Sequence, residues 1–405
     1  MLPVTSRPVL TRTVLILGLV SLFNDFASDM IVPLIPLLLA SVLGAGAMAL
    51  GAVDGVAEAL SSFLKLWSGR ASDRGQNRPK QFAFAGYLLS NLVRPLLGLA
   101  GSWPVVLVLR SLDRVGKGLR SAPRDAMLSA AAPEGSRGFS FGFHRAMDNI
   151  GAVAGSLVVA LIFAFYHSDI KEVFYLSALP GGIAVLLLLW GVRTAKTPGA
   201  ADRTPVKALS WSDLPNPLQQ YLVALVFFVF ARASEMFLVL RGYELGMSPV
   251  SLMLMWSMLN LGKSLTSTWG GKLSDRLGRN KLVLFSWVSF SFSFYLFSWV
   301  QHPLGLWITT GWFGLTTGLG EGAERAVIAD YAPRENLGGA YGWYYLVVGL
   351  ASVPAGLAFG TIWQLWGASA AFFVAATFAL LACAWIKWKV MALSGLSVRD
   401  EGGLM

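Results

Sequence analysis

Trp67-Ser-Gly-Arg-Ala-Ser-Asp-Arg74 and Trp269-Gly-Gly-Lys-Leu-Ser-Asp-Arg276 are one motif met twice, 202 residues apart. Ala132-Pro133 with Gly142 downstream returns 200 residues later as Ala332-Pro333 with Gly342, and Ser28-Asp29-Met30 is answered by Ser234-Glu235-Met236. Three matches at nearly one offset indicate a duplicated unit. Between the copies, Arg193, Lys196, Pro198, Arg203, Pro205, Lys207 and Pro215 mark a polar, proline-bearing linker. The expected organisation is a first unit over 1–192, a linker over 193–217 and a second unit over 218–405.

Composition says what such a unit is made of. Of 405 residues, 55% are hydrophobic and 13% charged, about half the charged share of a soluble domain. Apolar runs of about twenty residues, enough to cross hydrocarbon roughly 30 Å thick, recur near 13–38, 48–68, 82–100, 104–124, 139–165, 173–192, 218–240, 249–269, 281–300, 304–324, 339–362 and 369–391. The expected fold is an all-α membrane protein of twelve transmembrane helices in two pseudo-symmetric six-helix bundles. The first run follows Arg7 and Arg12, as a signal peptide would, but it is too long and carries Asp25 and Asp29, so it reads as a retained helix. Cys383 has no second cysteine to pair with, and without a Cys/His cluster no metal or cofactor is expected.

The net charge of +10 would suit nucleic acid, but its placement argues otherwise. With the N-terminus inside, most Lys and Arg fall on the cytoplasmic side, among them Arg70, Arg74, Arg78, Lys80, Lys272, Arg276, Arg279 and Lys281; Lys171 and Arg241 fall outside. This is the positive-inside pattern. It implies an inner-membrane protein with both termini in the cytoplasm, and lipid rather than nucleic acid as its neighbour.

Gly271-Lys-Leu-Ser-Asp275-Arg276-Leu-Gly278-Arg279-Asn-Lys281 resembles the signature loop of the major facilitator superfamily, found between helices 2 and 3 and often again between 8 and 9. The first copy, Gly69-Arg-Ala-Ser-Asp73-Arg74-Gly-Gln-Asn-Arg78, keeps the Gly, Asp and Arg and lacks the later Gly-Arg pair. Asp113-Arg-Val-Gly-Lys-Gly-Leu-Arg-Ser-Ala-Pro-Arg-Asp125 is similar to a bacterial branch of permeases and efflux proteins. The resemblance implies a secondary carrier of a small molecule that works by alternating access, here as a monomer. It implies that Asp73, Arg74, Asp275 and Arg276 hold the cytoplasmic side shut when the carrier faces outward. Gly69 and Gly271 would let helices 2 and 8 approach a neighbour closely, and the aspartates would accept from helix N-termini.

Charges at membrane depth cost about 2.5–3.5 kcal/mol each on insertion scales, so a retained one faces a partner or a cavity. The first unit carries Asp25, Asp29, Asp54, Glu58, Arg94, Arg110, His144, Arg145 and Asp148; the second carries Arg232, Glu235, Lys263 and Glu321, with Asn260 where the first has Glu58. Asp29 and Glu235 occupy matching places on helices that line the cavity in this superfamily. They read either as coupling or substrate groups or as a structural ion pair with Arg94 or Arg232. Asp54 and Glu58 stand one turn apart on one face. His144, Arg145 and Asp148 are read either as a transport group or as a local His–Asp hydrogen bond. Arg110 matches a helix 4 arginine that the family ties to proton coupling, although Arg114 stands where a glycine is usual; it could instead pair with Asp25 or Glu58. Arg124 and Asp125 align with Glu324 and Arg325 as gate salt bridges or interfacial anchors.

A proton-coupled carrier needs a carboxylate that loads and unloads as its exposure alternates, and Asp29 and Glu58 are the foremost candidates. Gly151-Ala-Val-Ala-Gly155-Ser156 keeps the glycine spacing of exporters without their proline, and Gly349 through Val353-Pro354-Ala-Gly356 is its counterpart. Both lean toward proton-coupled export of a polar or amphipathic solute. Proton symport and lipid or lysolipid flipping on the same fold are the alternatives. The chain has no His-Glu-x-x-His, Gly-x-Ser-x-Gly or Walker loop, so neither an enzyme nor an ATP-driven pump is expected. The topology has a direct check: reporter fusions at both termini should report the cytoplasm, and a periplasmic signal from either would overturn the assignment.

Overall fold

The computed structural model describes residues 10–72, 78–132, 137–166, 169–192, 210–232, 234–332 and 337–391. The first segment, α1 (Arg12–Val42), changes pitch where Pro33 and Pro36 remove backbone donors: α-helix passes through a 3-10 turn at Val32–Leu34 into a π turn at Leu38–Val42. There follow α2 (Ala47–Ser72), α3 (Arg78–Leu96), α4 (Trp103–Ala131), α5 (Arg137–Phe165) and α6 (Ile170–Gly191). The second set is α7 (Asn216–Glu244), α8 (Pro249–Leu277), α9 (Arg279–Trp299) and α10 (Pro303–Tyr331). A final helical run ends the described chain. Gly367, at φ 84° and ψ 170°, divides it into α11 (337–366) and α12 (368–390).

Apolarity and length alone recognise eight spans, the last of which contains both α11 and α12. The three others, α4, α8 and α10, are 29 residues each, long enough but more polar. They run to Ala131, Leu277 and Tyr331, about two turns beyond the apolar runs expected from the sequence. Hydropathy measures only the stretch in hydrocarbon, and these polar turns continue beyond it. Around the circumference Leu99, Phe165, Trp190, Trp299, Leu304 and Ile308 are exposed, a surface suited to lipid and not to water. The chain is a multi-pass membrane protein.

Packing repeats between the two sets. In the first, α1 lies on α5, α2 on α4, and α3 on α4 and α6; in the second, α7 lies on the 337–385 run, α8 on α10, and α9 on α10 and that same run. Across the molecule α2 runs along α11 and α5 along α8. The α2–α11 contact depends on glycine: a Cβ on Gly51 would overlap the Gly356 carbonyl, and one on Gly356 would overlap that of Gly51. These approaches lie toward the end where α1 gives way to α2, called here the distal face. The opposite end, where α2 leads to α3 and α8 to α9, is the basic face.

Beneath the first set sits a buried charge cluster. Arg94 Nε donates to Asp113 Oδ1 at 3.0 Å and Arg110 Nη1 donates to Asp113 Oδ2 at 2.9 Å. Arg94 Nη1 also donates to the Asn24 carbonyl at 3.0 Å and to Asn91 Oδ1 at 2.9 Å, tying α1, α3 and α4 together. The sequence reading paired Arg94 with Asp29, and Arg110 with Asp25 or Glu58. Both arginines instead meet Asp113, because α4 carries Asp113 one turn from Arg110 on the side facing α3. Removing one member of a buried pair leaves an uncompensated charge and costs about 3–5 kcal/mol. Asp113→Asn should therefore lower the thermal midpoint sharply, whereas Gly182→Ala, with nothing near its added Cβ, should leave it unchanged. Equal midpoints for Asp113→Asn and wild type in a detergent melt would contradict the cluster's structural role.

Candidate functional site

The contact between the halves is built around charges that the helices bring to mid-membrane. On α1, Asp29 Oδ1 accepts from Trp256 Nε1 at 2.9 Å and from Asn260 Nδ2 at 3.4 Å, both on α8 of the opposite set. Beside it Ser156 of α5 and Ser257 of α8 share a hydrogen bond of 2.6 Å. Asn260, which stands where the first unit has Glu58, thus serves as a donor across the interface. Glu235 does not meet Arg94 or Arg232; Lys263 donates to it within the second set.

On α2, Asp54 and Glu58 line one cleft, open to solvent, with Arg232, Ser234, Phe237 and Ser352. Glu58 pairs with Lys65 at 3.6 Å and accepts from Ser62 Oγ at 3.4 Å. Lys65 in turn lies over the Tyr345 ring of α11, 5.5 Å from its centroid. From α4, Arg114 and Lys117 are within electrostatic reach of Glu58, as is Arg232 of α7. Arg232 reaches the cleft because helical geometry ends there, at ψ 62°. It also donates to Glu324 Oε2 at 3.4 Å, and Trp287 Nε1 donates to the other oxygen at 2.8 Å.

A third group lies nearer the basic face. Asp148 accepts from Ser21 and pairs with His144 Nδ1 at 3.5 Å, the local hydrogen bond that the i, i+4 spacing allows. Asp25 accepts from Asn24 at 2.9 Å, with Asp148, Arg120, Lys117 and Arg124 within electrostatic reach. Arg145 is exposed on α5. Arg124 donates both Nε and Nη2 to its neighbour Asp125, at 3.0 and 2.9 Å.

The gate is only partly visible. Asp73 and Arg74 lie outside the described residues, as do the side-chain surroundings of Gly271, Asp275 and Arg325. Arg276 is exposed at the end of α8. At Gly69 an added Cβ would stand 3.4 Å from that of Ala122, ordinary contact, so close approach does not demand glycine there. In the second set the demanding position is Gly270, whose Cβ would overlap the Leu319 carbonyl. The exporter-like glycines are also packing residues: Gly151 and Gly155 meet the Leu22 and Phe26 carbonyls of α1.

Sequence reasoning passed over Lys65, Lys117 and Asp113 as site residues. Asp113 and Lys117 belong to a stretch that was read as motif, and Lys65 lies just before another. The signal was available in spacing: Glu58 and Lys65 are two turns apart, and Asp113, Arg114 and Lys117 fall within one turn or so.

Comparison with known proteins agrees with this architecture. The family model of the Major Facilitator Superfamily matches residues 17–241 and 221–397. The MFS-type transporter MJ1317 of Methanocaldococcus jannaschii is 30% identical over 365 residues, covering 88% of this chain and 89% of its own. The multidrug resistance protein MdtG of Klebsiella pneumoniae is 23% identical over 307 residues, 72% of each chain. The crystal structure of the nucleoside transporter NupG (D323A mutant) superimposes with a TM-score of 0.77 at 13% identity, covering 93% of this chain and 99% of that one. By its duplicated helix packing and by a family match that spans both halves, this chain belongs to the major facilitator superfamily.

Proposed function

We propose that the protein exports a small polar or amphipathic solute across the inner membrane in exchange for protons, with Asp29 as the coupling carboxylate and the basic face cytoplasmic. The observation that carries this reading is that Asp29, alone among the membrane-depth acids described above, accepts hydrogen bonds from the opposite half. A coupling group must interact differently in the two conformations, since a ligand shifts an equilibrium only by its differential affinity. The donors on Trp256 and Asn260 meet Asp29 only while α1 and α8 are together. Charge-assisted hydrogen bonds are the stronger ones, so distal closure and loss of the proton support each other, and by linkage closure drives the proton toward the basic face. Glu58, the other candidate, already has Lys65 as counterion within its own half.

Export as the direction draws on the likeness to the MdtG multidrug resistance protein; the helix 5 glycines no longer argue for it, because packing accounts for them. In the opposite conformation, Asp73 and Asp275 with Arg74 and Arg276 would close the basic face, and Arg124, Asp125, Glu324 and Arg325 would re-pair across it.

The coupling predicts a pH dependence with a definite sign. Raising the pH charges Asp29 and favours distal closure; lowering it weakens the α1–α8 link and opens that face. Spin labels at Val42→Cys and Leu254→Cys, exposed positions near the distal ends of α1 and α8, should therefore separate as pH falls. In Asp29→Asn the distance should stop responding to pH. A second expectation concerns the donor: Trp256→Phe, which removes one hydrogen bond worth about 1.5–3 kcal/mol to a charged group, should favour the distal-open state most strongly at high pH, where Asp29 is charged. A pH response in Asp29→Asn equal to that of wild type would overturn the assignment.

A further inference from the structure

Two acids from different halves are held by one face of α8. Trp256 and Asn260 donate to Asp29 of α1, and Lys263 donates to Glu235 of α7. The spacing 256, 260, 263 places all three on one stripe of the helix. At the matching positions α2 carries Asp54, Glu58 and Ser61, so three donors in line occur in α8 and not in its counterpart. Glu235 begins the second piece of α7 (Met236–Glu244), yet its side chain does not cap that helix and is given to Lys263. Both partners are half-buried, and Glu235 is the more exposed.

The backbone of Lys263 is fixed while its side chain is free to turn. A Cβ on Gly318 of α10 would overlap the Lys263 carbonyl, so the two helices touch there. Helical side chains lean toward the N-terminus, which carries the Lys263 ammonium from its own Cα toward the level of Asn260. The two levels differ by roughly 4.5 Å along the axis, within the sweep of a flexible four-carbon stem. Asn260 already reaches Asp29, at 3.4 Å. A change of rotamer would therefore take the charge of Lys263 from Glu235 to Asp29.

We propose that Lys263 exchanges between Glu235 and Asp29, and so sets the pH at which Asp29 gives up its proton. Lys263 is thus a positioning residue for coupling, and the proposal rests on the assignment of Asp29 above. One ammonium serves two acids, so whatever neutralises Glu235 hands the charge of Lys263 to Asp29 and holds it ionised. Because ionised Asp29 favours distal closure, the acid of the second half controls the junction made by the acid of the first. Asp29 also has Asp25 one turn away on α1, and Arg114 and Lys117 within electrostatic reach on α4. On α5 its neighbour is the neutral Ser156. None of these is bound to Glu235, so removing Glu235 leaves them in place. Arg232, the other cation where α7 breaks, pairs with Glu324. Glu321 of α10 has side-chain surroundings outside the described residues, and the test includes it.

The full chain in nanodiscs is read by the pH midpoint of the distance between the labels at Val42→Cys and Leu254→Cys. Glu235→Gln releases Lys263 to Asp29, so distal opening should need more acid. The midpoint should fall by about one unit or more, the shift that an opposite charge at close range gives a carboxylate. Glu235→Asp, which shortens the side chain and keeps its charge, should move the midpoint the same way by less. Adding Lys263→Gln to Glu235→Gln should return the midpoint to that of Lys263→Gln alone, whereas adding Lys263→Arg should retain the fall. A pair that only braces the fold would lower the melting temperature in these variants and leave the midpoint unmoved. An unmoved or raised midpoint in Glu235→Gln, or a fall that survives Lys263→Gln, overturns the proposal. An equal fall in Glu321→Gln would assign Lys263 to that acid and likewise overturn the exchange. The coupling reading fails separately, if Asp29→Asn still responds to pH. A silent Asp29→Asn beside an unmoved Glu235→Gln removes only the role of Lys263.

Discussion

A charge taken into hydrocarbon must meet another charge, a strong dipole or a wet cleft, and nearly every feature of this chain follows from that requirement. Asp113 is matched twice over by Arg94 and Arg110 and serves the fold. Asp29 is matched by two neutral donors from the other half and serves the junction. Glu58 is matched by Lys65 on its own helix and lines the cleft that Arg232 enters from the other half. Three acids of similar residue type thus acquire three roles from what surrounds them. The backbone imposes a parallel rule, since each peptide group in lipid must be satisfied within its own helix. Departures from helix occur at Pro33, Pro36 and Arg232 on α1 and α7, which face the protein interior.

The architecture was largely legible in the residues before any coordinates. The repeat of Trp67–Arg74 at Trp269–Arg276 and the apolar runs determine a duplicated helical membrane protein, because lipid leaves few other solutions. The charged residues that matter were legible as a set but not as pairs. Asp29 was recognisable by depth, yet its partners Trp256 and Asn260 lie more than two hundred positions away on a helix from the other copy. Arg94 and Arg110 were visible, but their shared acid was hidden inside a stretch read as motif. Pairing in a helical bundle depends on rotation about each axis, which spacing along one helix does not determine. The glycines show the reverse problem: Gly151 and Gly155 resemble a directional signature, and three-dimensional packing explains them without one.

Two of the contacts between the halves differ in kind. Between α2 and α11, Gly51 and Gly356 bring bare backbones together, a contact that works by shape and does not depend on pH. Between α1 and α8 the contact is a carboxylate and its donors, which does. A carrier needs both, one surface to rock upon and another whose strength a proton can change. Having both between the same two halves lets a small change in hydrogen bonding act on a joint that is otherwise geometrically complementary.

Gly367 joins α11 to α12 through a single residue with positive φ. The joint has no slack. A hinge of several residues would let α11 tilt alone when the cleft opens, leaving α12 in place against lipid. With one residue between them, any displacement of the distal end of α11 is handed directly to α12, which packs outside it against α9. Motion at the centre of the molecule is therefore transmitted to its lipid-facing rim.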